Sequence, residues 1–383
     1  MNYNLKILFL GYVFDEKVKK ILVEKDPKPQ VQTINFSKKF YQSISNIFEF
    51  DYLSSLPCQD FPISKIFYVK KNNKNEVSYL NLPIIKYLSK FVNIILNSNL
   101  FYYDIIFIHG LDFSYVFSAL FLKKRKAKII IYIMDQPGVK QSNDSLFRIF
   151  LKKIYRKILF WIVEISADSV IGMSQHLIEN YKSPKKYVIP GIVSSNKNKI
   201  KIPKNINNFV KYCYAGSLNK DYGIERLVNI FEKVDNSALY IAGSGELREM
   251  VEEISKINSN ITYCGMLNNT ELNGLYDNCD VLINFRDPST KLAKNSFPSK
   301  LFEYVEFKKP IVTTKIQAIP KNIEKYFFYV DFNFDNGLEF INNFSSRFNK
   351  EIIEKGKSNS LNITKLYDTK STSTKFKKII FKT

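Results

Sequence analysis

Histidine and cysteine are scarce in this chain, and their scarcity removes several chemistries at once. Only His109 and His176 occur in 383 residues, too few for a histidine-rich metal site. The four cysteines, Cys58, Cys213, Cys264 and Cys279, show no metal or redox spacing and frame no disulfide scaffold at this length. A reducing compartment suits them. No run of about 18 apolar residues occurs, so no membrane span is expected. Leu5–Phe14 lacks a basic flank and a small-residue cleavage site, so no secretory signal is expected. Basic residues are plentiful, with 57 Lys and Arg against 36 Asp and Glu and a net charge of +21. Yet no block of about five consecutive basic residues forms. The densest run is Lys123–Lys126, and no nucleic-acid-binding module accompanies it.

What is present is hydrophobic patterning of one kind. Short β-branched and aromatic runs recur at Lys6–Leu10, Ile105–His109, Ile129–Met134 and Ser169–Gly172. They return at Tyr212–Ala215, Leu239–Ala242, Val281–Phe285 and Ile311–Thr313. Continuous apolar runs of this length predict strands covered on both faces. Helical patterns such as Ile224–Val234 and Glu246–Ile257 separate them, which predicts an α/β fold with a parallel sheet in each half. Pro190–Asn208 is rich in Pro, Asn and Lys and reads as a boundary. The expected domains are 1–195 and 209–365, joined by a linker at 196–208. A tail at 366–383 is expected to pack back on the first domain. Residues 56–82 show no assignable pattern.

Three segments of the second half end strands in chemistry-bearing turns. Tyr212–Ala215 runs into Gly216-Ser217-Leu218, and Leu239–Ala242 into Gly243-Ser244-Gly245. A glycine at a strand end lets a ligand approach the backbone, and a following helix offers free N–H groups. Ordinary tight turns explain each fragment equally well. The third is Ser296–Thr313, "SFPSKLFEYVEFKKPIVT". Pro298 suits a first helical turn, with Ser296 as its cap. Lys300 and Glu303 then share one helix face, three residues apart. They read either as a solvated ion pair or as an anion and hydroxyl site.

Taken in order, these turns, "ITYCGML", "LYDNCDVLINF" and "FPSKLFEYVEFKKPIV" resemble the C-terminal domain of the group 1 (GT4) glycosyltransferases. The "FPSK" form is similar to a branch seen in bacterial capsule and O-antigen enzymes. The resemblance implies a GT-B fold, two Rossmann-like domains facing across a cleft. It also implies a retaining glycosyltransferase that moves a hexose-type sugar from a nucleotide-diphosphate sugar, with UDP favoured. By position, Glu303 would hold the donor ribose, and Ser299 and Lys300 would face the diphosphate. Gly216, Ser217, Gly243, Met266 and Leu267 would line the nucleotide. The family's paired glutamate falls at Asn295 here, and its basic loop residues fall at Ser217 and Tyr222. Lys220, Arg286 and Lys300 are the candidates to replace that charge. No D-x-D triplet occurs, which favours a metal-independent reaction without cofactors.

The first half matches more loosely. Gly11 stands where the family has a glycine loop, on the acceptor side with Asn295. Asp135, in "YIMDQPG", holds a position where a polar side chain would face the reacting sugar, and is the catalytic candidate. A turn aspartate ahead of Pro137 is the other reading. His109 is expected to be a satisfied strand-end residue. In Leu146–Val163, a wheel at about 100° per residue sets Arg148, Lys152, Lys153, Arg156 and Lys157 opposite Phe147, Phe150, Leu151, Ile154, Ile158, Trp161 and Ile162. A core helix with a solvated basic face is one reading. Docking on an anionic membrane is the other. With this helix, the resemblance implies a lipid-linked or saccharide acceptor, surface-polysaccharide synthesis, and a cytoplasmic enzyme at the inner face of the plasma membrane. No nucleic-acid partner is expected. The competing readings are a catalytically silent scaffold of the same fold, a nucleic-acid-binding protein, and a nucleotide-sugar epimerase.

Overall fold

The structure is a computed structural model describing residues 5–27, 29–45, 47–98, 103–123, 127–135, 137, 146–193 and 209–382. The side chains of Leu122, Lys123 and residues 146–148 are outside that description. So are residues 194–208, which hold the expected linker. The chain divides into two units, Met1–Ile189 with Thr372–Thr383, and Pro190–Ser371.

The first unit contains β1 (Ile7–Gly11), β2 (Phe50–Ser54), β3 (Tyr68–Val69), β4 (Tyr79–Leu80), β5 (Ile105–His109), β6 (Lys128–Ile133), β7 (Ser169–Gly172) and β8 (Lys185–Val188). Its helices are α1 (Glu16–Lys25), α2 (Val31–Ser45), α3 (Ile85–Asn97), α4 (Phe113–Lys123), α5 (Leu146–Ser166) and α6 (Gln175–Ile178). Six strands form a sheet in the order β2-β1-β5-β6-β7-β8, and its neighbouring pairs are parallel. β1, β5 and β7 are buried along their whole length, as both-face coverage requires. Phe9 stacks on Phe107 with ring centroids 5.5 Å apart. Residues 56–82, unpatterned in sequence, carry the antiparallel pair β3–β4. Hydrogen bonds replace periodicity there. The Asn81 amide donates to the carbonyls of Gln59 and Ile66 at 2.7 and 2.8 Å.

The second unit contains β9 (Val210–Ser217), β10 (Ser237–Ser244), β11 (Ile261–Tyr263), β12 (Val281–Asn284), β13 (Ile311–Thr314) and β14 (Phe328–Val330). Its helices are α7 (Ile224–Phe231), α8 (Arg248–Ile257), α9 (Asn269–Asn278), α10 (Lys291–Asn295), α11 (Lys300–Val305), α12 (Lys321–Glu324), α13 (Phe334–Ser346) and α14 (Lys350–Tyr367). The sheet runs β11-β10-β9-β12-β13-β14, the doubly wound order in which the chain reverses direction between β9 and β12. The core joins Tyr212, Leu239 and Ile283 of the strands to Leu227, Phe231 and Val251 of the helices. Each such side chain contributes roughly 1.5–3 kcal/mol by leaving water. Lys309, in the motif's "KKP", is buried with its amine donating to the carbonyls of Asp277 and Cys279, so it closes the C-terminal end of α9.

The last helix, α15 (Thr369–Lys382), belongs with the first unit from Thr372 onward. Phe376 stands edge-on to Phe40 at 4.8 Å and to Phe107 at 5.2 Å.

Candidate functional site

In a doubly wound sheet, ligands bind beyond the carboxyl ends of the strands where the order reverses. In the second unit that point lies between β9 and β12. These strands pair only through Val281 with Tyr212 and Leu282 with Cys213. Beyond that pairing, the gap is bridged by the hydroxyl of Tyr304. It accepts from the Ala215 N–H at 3.1 Å and donates to the Ile283 carbonyl at 3.4 Å. Tyr304 is fully buried on α11, so this bridge pins α11 into the crevice.

α11 carries Lys300 and Glu303, whose Nζ and Oε2 lie 2.8 Å apart. Lys300 also donates to the Tyr276 hydroxyl at 3.3 Å. Both charged side chains are partly exposed. The Tyr276 hydroxyl is held protonated first by burial, then by Tyr304 and Glu303 beside it. The expected cap differs. Ser296 terminates α10, its N–H donating to the Leu292 carbonyl. Ser299 occupies the cap position of α11 with no side-chain cap bond. The reason is local: Pro298 opens a tight turn in which the Leu301 N–H donates to its carbonyl. That leaves the Ser296 hydroxyl one turn too early.

Arg286 follows β12. Its Nη1 donates to the Ser296 carbonyl at 3.0 Å, and its guanidinium lies 5.0 Å from the Tyr222 ring. Its N–H is fixed by Thr314 Oγ1 at 3.0 Å. Arg286 therefore links the loop after β9 to the segment entering α11, where Asn295 is half-buried. Burial raises the Tyr214 hydroxyl's proton affinity, while the Arg286 charge opposes it.

The glycine-ended strands meet one another. A Cβ on Gly243, whose φ is +144°, would stand 1.9 Å from the Gly216 carbonyl oxygen. The Gly243 N–H donates to the Gly265 carbonyl at 2.9 Å. Asn219 Oδ1 accepts from the Glu246 N–H at 3.0 Å, and Glu246 Oε1 accepts from the Lys220 N–H at 2.9 Å. The Gly243-Ser244-Gly245-Glu246 turn thus braces the loop after β9. Ser217 ends β9, and Met266 and Leu267 follow Gly265, with Met266 exposed.

In the first unit, Gly11 ends β1. A Cβ there would meet the Phe9 ring at 2.4 Å and Ser37 Oγ at 3.0 Å. Its carbonyl accepts from the Tyr115 hydroxyl at 2.6 Å. The next two amides are occupied by Ser37 and Ser54 hydroxyls, both at 2.9 Å. Asp135 is exposed just past β6, at the same carboxyl edge of the sheet. Just past β5, Asp112 is half-buried, its carboxylate 3.0 Å from the Lys90 amine. Burial opposes its ionisation, but Lys90 and the Ser114 N–H outweigh that and hold the carboxyl below its usual range. His109 departs from expectation. It is fully buried among Phe9, Phe36, Phe40 and Tyr132, and neither ring nitrogen has a hydrogen-bond partner among the described residues. Burial drives its pKa down to about 3, so the ring is neutral.

On α5, Lys153, Arg156 and Lys157 are exposed and Lys152 is half-buried. The Arg148 side chain lies outside the described residues. Among the described residues, no group of three or more His, Cys, Asp or Glu could hold a metal.

Sequence reasoning missed Tyr304, Tyr276 and Asn219. Tyr304 stood in "FEY", but its partners lie 89 and 21 residues away. The only available signal was its place on the apolar side of a short helix.

Residues 210–341 match the family model of "Glycosyl transferases group 1". No curated protein matches the chain in sequence. In structure, it is similar to the sucrose-phosphate synthase of Thermosynechococcus elongatus, with a TM-score of 0.68, 12% identity, and 99% and 98% of the two chains covered. It is similar to Anabaena HepE in complex with UDP, with a TM-score of 0.65, 12% identity, and 99% and 100% covered. The apo lipopolysaccharide outer core galactosyltransferase WaaB gives a TM-score of 0.54, 14% identity, and 94% and 99% covered. At these identities the structural likeness establishes the fold, and the family model supplies the activity class. Residues 210–341 thus match the glycosyl transferases group 1 model, and the chain is a glycosyltransferase with the GT-B fold.

Proposed function

We propose that the chain is a retaining transferase of the FPSK-bearing GT4 branch. It moves a hexose-type sugar from a UDP-sugar to a saccharide or lipid-linked acceptor in surface-polysaccharide synthesis. The observation that carries this reading is the anchoring of α11 by Tyr304. It sets Lys300 and Glu303 on the helix that fills the crevice between β9 and β12, with Arg286 bonded to the segment leading into that helix. In the proposed complex, Glu303 accepts hydrogen bonds from the ribose hydroxyls. Lys300 turns from Glu303 toward the diphosphate, and Arg286 supplies a second positive charge. Fixed positive groups of this kind stabilise a leaving diphosphate without a metal ion. Gly216, Ser217, Gly243, Met266 and Leu267 line the nucleotide. HepE has been solved with UDP and with UDP-glucose, which favours UDP here.

We assign the acceptor to Gly11 and Asp135 of the first unit. Asp135, exposed at a strand end, would orient the acceptor hydroxyl or offset positive charge building on the sugar carbon. The proposed workplace is the cytoplasmic face of the plasma membrane, with no nucleic-acid partner. The test is incubation with UDP-, GDP- and dTDP-sugars in the presence of a chelator, following slow donor hydrolysis and the anomer released. UDP-hexose hydrolysis with retained configuration supports the reading. No binding or hydrolysis of any donor would favour a silent scaffold and overturn it.

A further inference from the structure

The helices α3, α4 and α5 form one layer of the first unit, with α4 packed between the other two. An aromatic ladder joins them. Phe91 meets Phe117 at 4.9 Å, Phe113 stacks on Phe117 at 5.6 Å, and Tyr155 meets Phe113 at 6.1 Å. A surface helix normally turns polar residues outward. α3 and α4 do the reverse, and α5 exposes apolar residues beside its cations. On α3, Leu88, Val92 and Leu96 recur every four residues and are exposed by 64%, 43% and 76%. On α4, Phe117 and Phe121 continue the same outward stripe. On α5, Ile154, Ile158 and Trp161 are exposed, while Leu159, Ile162 and Val163 face the core. The sequence had placed Ile154, Ile158 and Trp161 with Ile162 on one apolar side, read either as core-facing or as interfacial. The structure separates them into an inward and an outward apolar stripe.

Within these three helices the charges are nearly all of one sign. Across α3, α4 and α5 the sole carboxylate is Glu164. It accepts from the Lys182 and Ser183 N–H groups and so is committed to a neighbouring loop. Lys153, Arg156 and Lys157 of α5 are exposed beside the apolar stripes. An exposed apolar patch spanning three helices marks an interaction surface. Apolar side chains bordered by cations and lacking carboxylates suit a surface with an acyl interior and anionic headgroups. Among the described residues no helix is long and apolar enough to cross a membrane, so contact would be at the interface.

We propose that the α3–α4–α5 face docks this chain on an anionic lipid bilayer. The apolar stripes of all three helices enter the headgroup boundary, and the α5 cations sit at the phosphates. This deepens the membrane workplace proposed above, and extends it from the basic side of α5 to two helices that carry no charge pattern. Trp161, the single tryptophan of the chain, lies on this face and reports on it.

The test uses the full chain with vesicles of phosphatidylcholine alone or mixed with phosphatidylglycerol, without donor sugar. Binding is read by co-sedimentation, by the Trp161 emission shift, and by its quenching with brominated acyl chains. The native chain should bind the anionic vesicles, with a blue-shifted and quenched Trp161. Replacing Leu88, Val92 and Leu96 together by serine should weaken binding by about tenfold or more. Replacing Lys153, Arg156 and Lys157 by glutamate should abolish the preference for anionic lipid. Unchanged thermal unfolding of these surface variants separates docking from folding. Absence of binding, binding indifferent to both sets of substitutions, or a Trp161 that stays in water while the chain sediments would each overturn the proposal. So would a native chain that runs as a dimer dissolved by the serine substitutions without binding vesicles. Donor titration is independent of all these readouts, so either reading can fail alone.

Discussion

The hydroxyl of Tyr304 accepts the Ala215 N–H at 3.1 Å, at the level where β9 and β12 part company. Sheet pairing can no longer satisfy that amide, because the strand that would have done so has diverged. A side chain from α11 does it instead. Holding the crevice and placing Lys300 and Glu303 are thereby one structural act.

Tyr304→Phe should therefore affect stability and ligand affinity together. Losing the hydroxyl leaves a buried N–H without its acceptor, a cost of roughly 1–3 kcal/mol. UDP affinity should fall as α11 loosens. Urea unfolding and titration of the same variant check both, and a stability loss with native UDP affinity would show that α11 is held by packing alone.

Two glycines in adjacent turns should respond differently to alanine. Gly265 has a φ of +73° and open space where a Cβ would go, so Gly265→Ala should cost about 1–2 kcal/mol from backbone strain. Gly243→Ala brings a methyl 1.9 Å from the Gly216 carbonyl oxygen and carries strain as well. Its cost should exceed roughly 3 kcal/mol. Equal denaturation midpoints for the two variants would contradict the close approach of β9 and β10.

Arg286 makes a directed bond to the Ser296 carbonyl and stacks near Tyr222. Both uses need a planar guanidinium. Arg286→Lys should lose UDP affinity despite keeping the charge, and Arg286→Ala should lose about tenfold or more. Native affinity in Arg286→Lys would mean that charge alone matters there.

His109 gives the fold a definite pH response. The ring takes a proton near pH 6.5 when unfolded and only near pH 3 when folded. The stability held by its neutral form is complete above pH 6.5 and falls as pH drops toward 3. Roughly 2 kcal/mol should be lost by pH 5. Chemical denaturation across this range should show a shallower slope for His109→Phe, and an unchanged slope would contradict the assignment.

The central strands were legible because burial on both faces leaves an uninterrupted apolar run, as in Ile105–His109. The edge strands were not. Phe50–Ser54 and Lys185–Val188 border the first sheet and carry exposed positions that break the run. The Lys300 and Glu303 pairing was legible from spacing alone. What held that pair in place was not, since Tyr304 and Tyr276 act through partners distant in sequence. The outward stripes of α3 and α4 were hidden for a physical reason too. A helix apolar on two sides looks like any buried helix until its neighbours are known.

The most direct measurement is calorimetric titration of UDP into the native chain and Glu303→Ala. Hydrogen bonds from ribose hydroxyls to a carboxylate are each worth about 1.5–3 kcal/mol. Binding to the native chain with at least about a tenfold loss in the variant is the expected result. Native affinity in Glu303→Ala would contradict the proposed donor site.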